Sequence, residues 1–480
     1  MKKLICAALV LMSLSAAASA QTIYPLLNKN PQAGGVAFVL TDGTVLTQGS
    51  ASDWWKLTPD INGSYLRGTW SQVASLPYGY DPLYFASAVL ADGRLIIAGG
   101  EYNRSKFALS NRWDVYDPKK DTWAGLTLPP LGWSTIGDSQ SVVLPDGSFL
   151  LAQKLTEAIA RFDPKTMTWT AMQSTGKHGF NSEEGWTLMP DGTVLTADVK
   201  GAPNSEIYNP SRQAWTSAGS TIVDLHSPTT VVGCIPYPGG CYYPPGEIGP
   251  QMLRPDGTVF VTGGIPKGGT SAHTSIYHPT TRSWTVGPDF PNGDDSGDSG
   301  AVLLPNGNVL VGGTSGALYE FDGSKLSMTA SSVASGHSYP MLILPSGQVL
   351  LQSQNGLSLY NPTGTAQADW APRIGTVPTS LTRGGTYTIS GNRFNGMSQA
   401  AAFGDELETA TNYPLVRITN NATKHVVYAR THDHSTMGVA TGNAVVTTNF
   451  DVPPGTETGA STLQVVANGV PSGRISVTVN

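Results

Sequence analysis

The sequence predicts an all-β fold, a ring of repeated four-stranded sheets followed by a separate β-sandwich. Three observations predict it. A short hairpin phrase recurs seven times along the chain. Gly 55 and Pro 34 are high counts and only 13% of residues are charged, a composition that suits short strands joined by tight turns. Beyond residue 370 the phrase stops and plain two-residue alternation takes over.

The elements follow in order. Residues 1–20 have the pattern of a secretory signal: Lys2 and Lys3, an apolar stretch from Leu4 to Leu14, then Ala18-Ser19-Ala20 as a small-residue cleavage site. The mature chain is therefore expected from Gln21, secreted or periplasmic, with no integral membrane segment. Net charge is −6 with pI near 5.7, so no basic stripe points to nucleic acid. Cys234 and Cys241 enclose Ile-Pro-Tyr-Pro-Gly-Gly, and in an oxidising compartment they are expected to form a disulfide. A loop this short gains modest stability, so its main effect is expected on local shape.

The repeated phrase is an apolar run, Asp-Gly or a variant, and a second apolar run, as in VLTDGTVLTQG at Asp42 and VLADGRLIIAGG at Asp92. It returns at Asp146, Asp191, Asp256, Asn306 and Ser346. A spacing of about 50 residues is the kelch range. Asp-Gly and Asn-Gly between β-branched runs predict hairpins with type I′ turns. A second phrase follows most hairpins: VYDPKKDTW, RFDPKTMTW, IYNPSRQAW and IYHPTTRSW, ending at Trp123, Trp169, Trp215 and Trp284. Two hairpins per repeat make a four-stranded blade, and closing the ring protects the edges. The Trp residues are assigned to packing between blades. The expectation is a seven-bladed kelch β-propeller over residues 21–370 and an immunoglobulin-like β-sandwich over residues 371–480.

With these phrases the chain resembles the galactose oxidase family of kelch propellers, over nearly the whole mature length. The resemblance implies a copper held by two tyrosines and two histidines, one tyrosine being cross-linked to a cysteine. At the place of that tyrosine this chain has Asp138, and at the place of the cysteine it has Phe85-Ala86. At the place of the second tyrosine and first histidine it has His337 and Ser338, or Gly336 and His337 after a one-residue gap. The last histidine finds its nearest counterpart in Thr431-His432-Asp433-His434. The resemblance therefore carries the fold without the tyrosine–cysteine cofactor.

The residue eight places before each turn residue occupies an equivalent position in each blade, on the mouth face. These are Gly34, Tyr84, Asp138, Glu183, Ile248, Asp298 and Ser338, with Glu184, Glu247, Asp294, Asp295 and His337 nearby. Carboxylates converging on one axis need a positive partner or raised pKa values. Two arrangements meet that need: a hard cation such as calcium or another ligand, or hydrogen bonds from neighbouring backbone N–H groups. The longest interval, Asp191 to Asp256, adds a loop carrying His226, the cysteines, Tyr237, Tyr242 and Tyr243, suited to stacking on a sugar or peptide. The expected function is a glycan or protein ligand bound at the mouth by Asp138, Glu183, Glu184, Glu247, Asp298, His337, His432, Tyr242 and Tyr243, with no cofactor required. The alternative is a carboxylate- or metal-dependent lyase or hydrolase there, with calcium or another divalent metal as its ion.

Overall fold

The structure is a computed structural model, and it describes residues 22–32, 35–124, 129–237, 239–331, 341–353, 355–403 and 409–480. Among them, seven antiparallel sheets of four or five strands follow one another along the chain. The first runs through Ala37–Val39, Val45–Gln48, Trp54–Thr58 and Thr69–Val73 in chain order. The next five span residues 86–123, 141–172, 187–220, 227–286 and 300–331. The seventh contains Leu342–Ile343, Val349–Ser353 and Gly356–Asn361, and its outer strand is Thr22–Pro25 from the other end of the chain. The chain is all-β, and its curled sheets fit a β-propeller. No helix among the described residues is long and apolar enough to cross a membrane.

Each repeated phrase forms a hairpin, but not with the expected type I′ turn. In the first, Gly43 N–H donates to Leu40 O at 2.9 Å and Leu40 N–H to Thr44 O at 2.8 Å, giving a three-residue loop. Only Gly43 has a positive φ, at 75°. This is a type I turn closed by a left-handed glycine. Asp42 Oδ1 accepts the Thr44 N–H at 3.0 Å, which explains the Asp. The same donor from Gly recurs at Gly93, Gly147, Gly192, Gly257, Gly307 and Gly347.

The Trp phrases build a repeated cross-strand pair. Tyr116–Trp123, Phe162–Trp169, Tyr208–Trp215 and Tyr277–Trp284 face each other in register. Their ring centroids lie 5.1, 5.0, 5.1 and 5.1 Å apart, at 41–49°. Two of the indoles also reach the preceding sheet. Trp123 Nε1 donates to Ala74 O at 2.8 Å and Trp284 Nε1 to Ala218 O at 3.0 Å. Trp123 and Trp284 thus combine an apolar body packed between sheets with a satisfied N–H, whereas the buried N–H groups of Trp169 and Trp215 find no partner among the described residues.

The C-terminal strands, from Arg373–Thr376 to Ile475–Val479, enclose their own core of Leu381, Ile389, Phe394, Val416, Phe450, Leu463 and Val465. They sit against the turn ends of the first sheets. Thr431 N–H donates to Thr41 O, His434 N–H to Ala91 O and Met437 N–H to Pro145 O, at 3.1, 3.1 and 3.0 Å. One segment leaves this unit and enters the sheet array. Ala401–Phe403 pairs with Gly300–Leu303 as the fifth strand of the sixth sheet. Gln399 Oε1 accepts the Leu188 N–H of the fourth sheet at 2.8 Å. The chain therefore crosses the boundary at residue 371 in space as well as in sequence.

Candidate ligand site

The strand ends opposite the turns hold a charged cluster centred on Lys154. Its backbone N–H donates to Ile136 O at 3.1 Å, which fixes the end of the third sheet's second strand. Its side chain is fully buried; Nζ lies 2.6 Å from Glu183 Oε1 and hydrogen-bonds Asp138. Glu183 also accepts the Tyr242 hydroxyl, and Ser182 Oγ lies 2.6 Å from that hydroxyl. Asn181 Nδ2 donates to Thr156 O at 2.8 Å and ties the Glu183 loop to the third sheet. The Tyr242 ring lies 5.4 Å from Lys154 Nζ and stacks on Phe107 at 6.3 Å. Phe107 meets Tyr102 at 5.8 Å, and Tyr102 meets Tyr84 at 6.2 Å.

Three of the five described equivalent positions have left-handed backbone: Tyr84 at φ 52°, Glu183 at 58° and Asp298 at 55°. Each costs about 1–2 kcal/mol for an L-residue, so surrounding contacts must hold it. Asp298 N–H donates to Ile248 O at 3.2 Å, and Tyr84 O accepts the Glu101 N–H at 3.0 Å.

Glu101 belongs to the same field. Burial, together with the nearby charges of Glu183 and Asp298, outweighs the attraction of Lys154 and lifts its carboxyl to about 7. Glu247 lies beside Asp298's loop, its strand paired with Ser227. Glu184, adjacent to Glu183, points into a different cluster. Lys177 Nζ lies 2.9 Å from Glu184 and 2.7 Å from Glu206, all buried. Burial pulls Lys177 down, but the two carboxylates outweigh it and hold it above its usual range. Burial pushes the Glu184 carboxyl up against the attraction of Lys177.

Beside the Lys154 cluster lies a cleft of about 580 Å³. Tyr242, only 5% exposed, and Ser182 line its floor, while Tyr243 at 69% and Phe180 at 42% stand exposed at its rim. Cys234 and Cys241 form the expected disulfide, with Cα atoms 5.6 Å apart. It staples the hairpin of Ile235–Tyr237 and Gly240–Tyr242, which carries Tyr242 into the cleft. Lys200 and His226 also line it.

Of the residues expected at the site, Asp138, Glu183, Tyr242 and Tyr243 come together, with Asp298 and Glu247 on the adjoining loops. His432 does not join them. It lies on the turn side, with Nδ1 2.7 Å from Asp433 and Nε2 3.2 Å from Asp451, where Arg430 also pairs with Asp451. Its strand is held to the turns of the first sheets, so its placement at the mouth is corrected. Glu184 belongs to the Lys177 cluster instead. His337, with Ser338 and Gly34, lies outside the described residues. Sequence reasoning missed Lys154, Lys177, Glu101 and Lys200. Lys154 did leave a signal: it stands eight places after its turn residue, where Gly100 and Gly264 stand in other repeats.

No known family profile matches the chain. Two curated galactose oxidases, one from Gibberella zeae and one from a named strain of it, are each 26% identical over 284 residues, covering 56% of this chain. The chain spans 40% of the length of these relatives. A solved structure described as a novel fungal alcohol oxidase of the AA5 family, in complex with copper, matches over 96% of this chain and 100% of its own. Its TM-score is 0.51 at 16% identity, a likeness of fold. Together these findings support a galactose oxidase-like family for the chain. The described residues at the mouth do not fit the copper centre that the resemblance implies. Asp138 replaces the cross-linked tyrosine and is bonded to the Lys154 ammonium, a fixed positive charge that repels a second cation. The buried residue at the cysteine's place is Ala86, which has no sulfur. Among the described residues no group of three or more His, Cys, Asp or Glu is arranged to hold a metal ion.

Proposed function

We propose that the chain is a secreted or periplasmic seven-bladed kelch propeller with an immunoglobulin-like sandwich on its turn face, and that it binds a glycan in the mouth cleft without radical copper chemistry. The observation that carries this reading is the cleft itself. Exposed Phe180 and Tyr243 flank a recess whose floor, Tyr242, is fixed by Glu183 and by a disulfide-stapled hairpin. Rigid aromatic faces beside a polar floor suit the apolar face of a sugar ring. Lys154 supplies the positive charge that converging carboxylates require, which removes the electrostatic demand for calcium or another divalent ion there. The disulfide is compatible with an oxidising compartment.

A glycan array followed by calorimetry tests it. Replacing both Phe180 and Tyr243 by Ala is expected to weaken the best glycan about fivefold or more, at roughly 0.5–1.5 kcal/mol per ring. The thermal midpoint should stay where it is, because both rings are exposed. Absence of binding to any glycan, or stoichiometric copper in the purified protein, overturns the reading.

Glu101 supports a second reading, a lyase or hydrolase. A carboxyl that titrates near 7 beside other carboxylates is suited to general acid–base work at neutral pH. Turnover of a bound glycan that disappears in Glu101→Gln, with binding retained, would establish that reading over simple binding.

A further inference from the structure

We infer that the cleft takes an acidic saccharide, one bearing a carboxylate or sulfate, with Lys200 as its charged contact at the rim. This rests on the glycan-binding reading above and adds the charge class of the ligand.

Among the described residues, the lining includes two basic groups, Lys200 and His226, and no carboxylate. Lys200 Nζ stands 3.8 Å from the Phe180 ring centroid, so the exposed aromatic face and the ammonium form one unit. No ion pair is formed by Lys200 among the described residues, whereas Lys154 and Lys177 are each paired with two carboxylates. His226 has Nδ1 2.6 Å from Asp224 Oδ1, which orients its ring within the wall. Asp198, two residues before Lys200 in sequence, is buried and accepts the Gly201 N–H at 2.7 Å.

The floor decides where the ligand's charge goes. The Tyr242 hydroxyl donates its hydrogen bond to Glu183, and Ser182 in turn donates to Tyr242. Neither donor is left over for an anion, and Glu183 beneath them is itself a carboxylate. An acidic substituent is therefore repelled from the floor and drawn to the rim, where Lys200 stands. The chain's net charge of −6 opposes anions at long range, so selection falls to this local contact. An ammonium is a point charge that accepts carboxylate and sulfate alike.

The test measures binding of hexuronate oligosaccharides, sulfated oligosaccharides and carboxyl-reduced neutral oligosaccharides of the same length, at one ionic strength. Wild type is expected to bind one acidic series at least tenfold tighter than the neutral one. Which series leads distinguishes a carboxylate from a sulfate. Lys200→Met should cut acidic affinity about tenfold more than neutral affinity, and Lys200→Arg should restore the preference. Neutral sugars bound as tightly as acidic ones, or a preference untouched by Lys200→Met, overturns the inference while leaving glycan binding intact. If no saccharide of any charge binds, the underlying reading fails with it. Lys200 is exposed, so neither variant threatens folding.

Discussion

At the scale of single residues, Lys154 is the group on which the mouth depends. Its ammonium is buried between Asp138 and Glu183, and a buried pair loses most when one partner is removed. Lys154→Met is expected to destabilise the fold by about 3–5 kcal/mol, because two carboxylates remain without their cation. Adding Asp138→Asn and Glu183→Gln should recover much of that loss, and urea denaturation of the single and triple variants checks it. Glu101 gives a prediction in pH. Its folded pKa of about 7 lies above its ordinary 4.5, so the folded state holds the proton more tightly. Its stabilising contribution is complete below about pH 4.5 and is lost as pH rises through 7. Asp114, which burial lifts to about 7 against its backbone hydrogen bonds, acts in the same direction. Glu101→Gln should flatten the fall in the urea midpoint between pH 5 and pH 8, relative to wild type.

At the scale of elements, the sequence made the hairpins legible but not their turns. Asp-Gly serves a type I′ turn and a type I turn closed by a left-handed glycine equally well, because both place Gly at positive φ. Ser346 is the informative case. A serine fits poorly at the positive φ of a type I′ turn, and it stands comfortably before Gly347 in the observed loop. The alternating carboxylates were legible as a set, and Asp138 and Glu183 do converge. Their counter-charge showed only as a Lys where other repeats carry Gly, and its partners were not readable, because they arrive on separate loops, Asp138 before the third sheet and Glu183 before the fourth. His432 was misplaced because local spacing says nothing about which end of the sheets a strand meets. The stapled hairpin is the element whose role was most readable, and it carries its own prediction. Replacing Cys234 and Cys241 by Ser frees the strand that positions Tyr242. Since a short loop contributes little chain entropy, the unfolding midpoint should move slightly while glycan affinity falls several-fold. Calorimetric binding and thermal unfolding of the same double variant separate the two effects.

At the scale of the whole molecule, closure of the array depends on a strand far away in sequence. Thr22–Pro25 pairs with Gly356–Asn361 along its full length, Thr22 opposite Asn361 and Pro25 opposite Ser358. Tyr24 fastens it twice, its hydroxyl donating to Asn361 Oδ1 at 3.1 Å and accepting from Gln348 Nε2 at 2.8 Å. Leu26 N–H adds a bond to Leu357 O at 3.0 Å. Without this strand the seventh sheet keeps three strands and presents Gly356–Asn361 as an open edge, the arrangement that invites pairing between molecules. The seventh sheet packs beside the first and the sixth, so the loss is not confined to one end of the chain. Removal of residues 22–26 is therefore expected to lower the midpoint of the whole unfolding transition and to cause association at micromolar concentration. The milder Tyr24→Phe should lower the midpoint without association, because it deletes the side-chain hydrogen bonds and leaves the backbone pairing in place. Light scattering beside thermal unfolding distinguishes them. A shortened chain that unfolds and sediments like the intact one would show that the other strands hold the array closed by themselves.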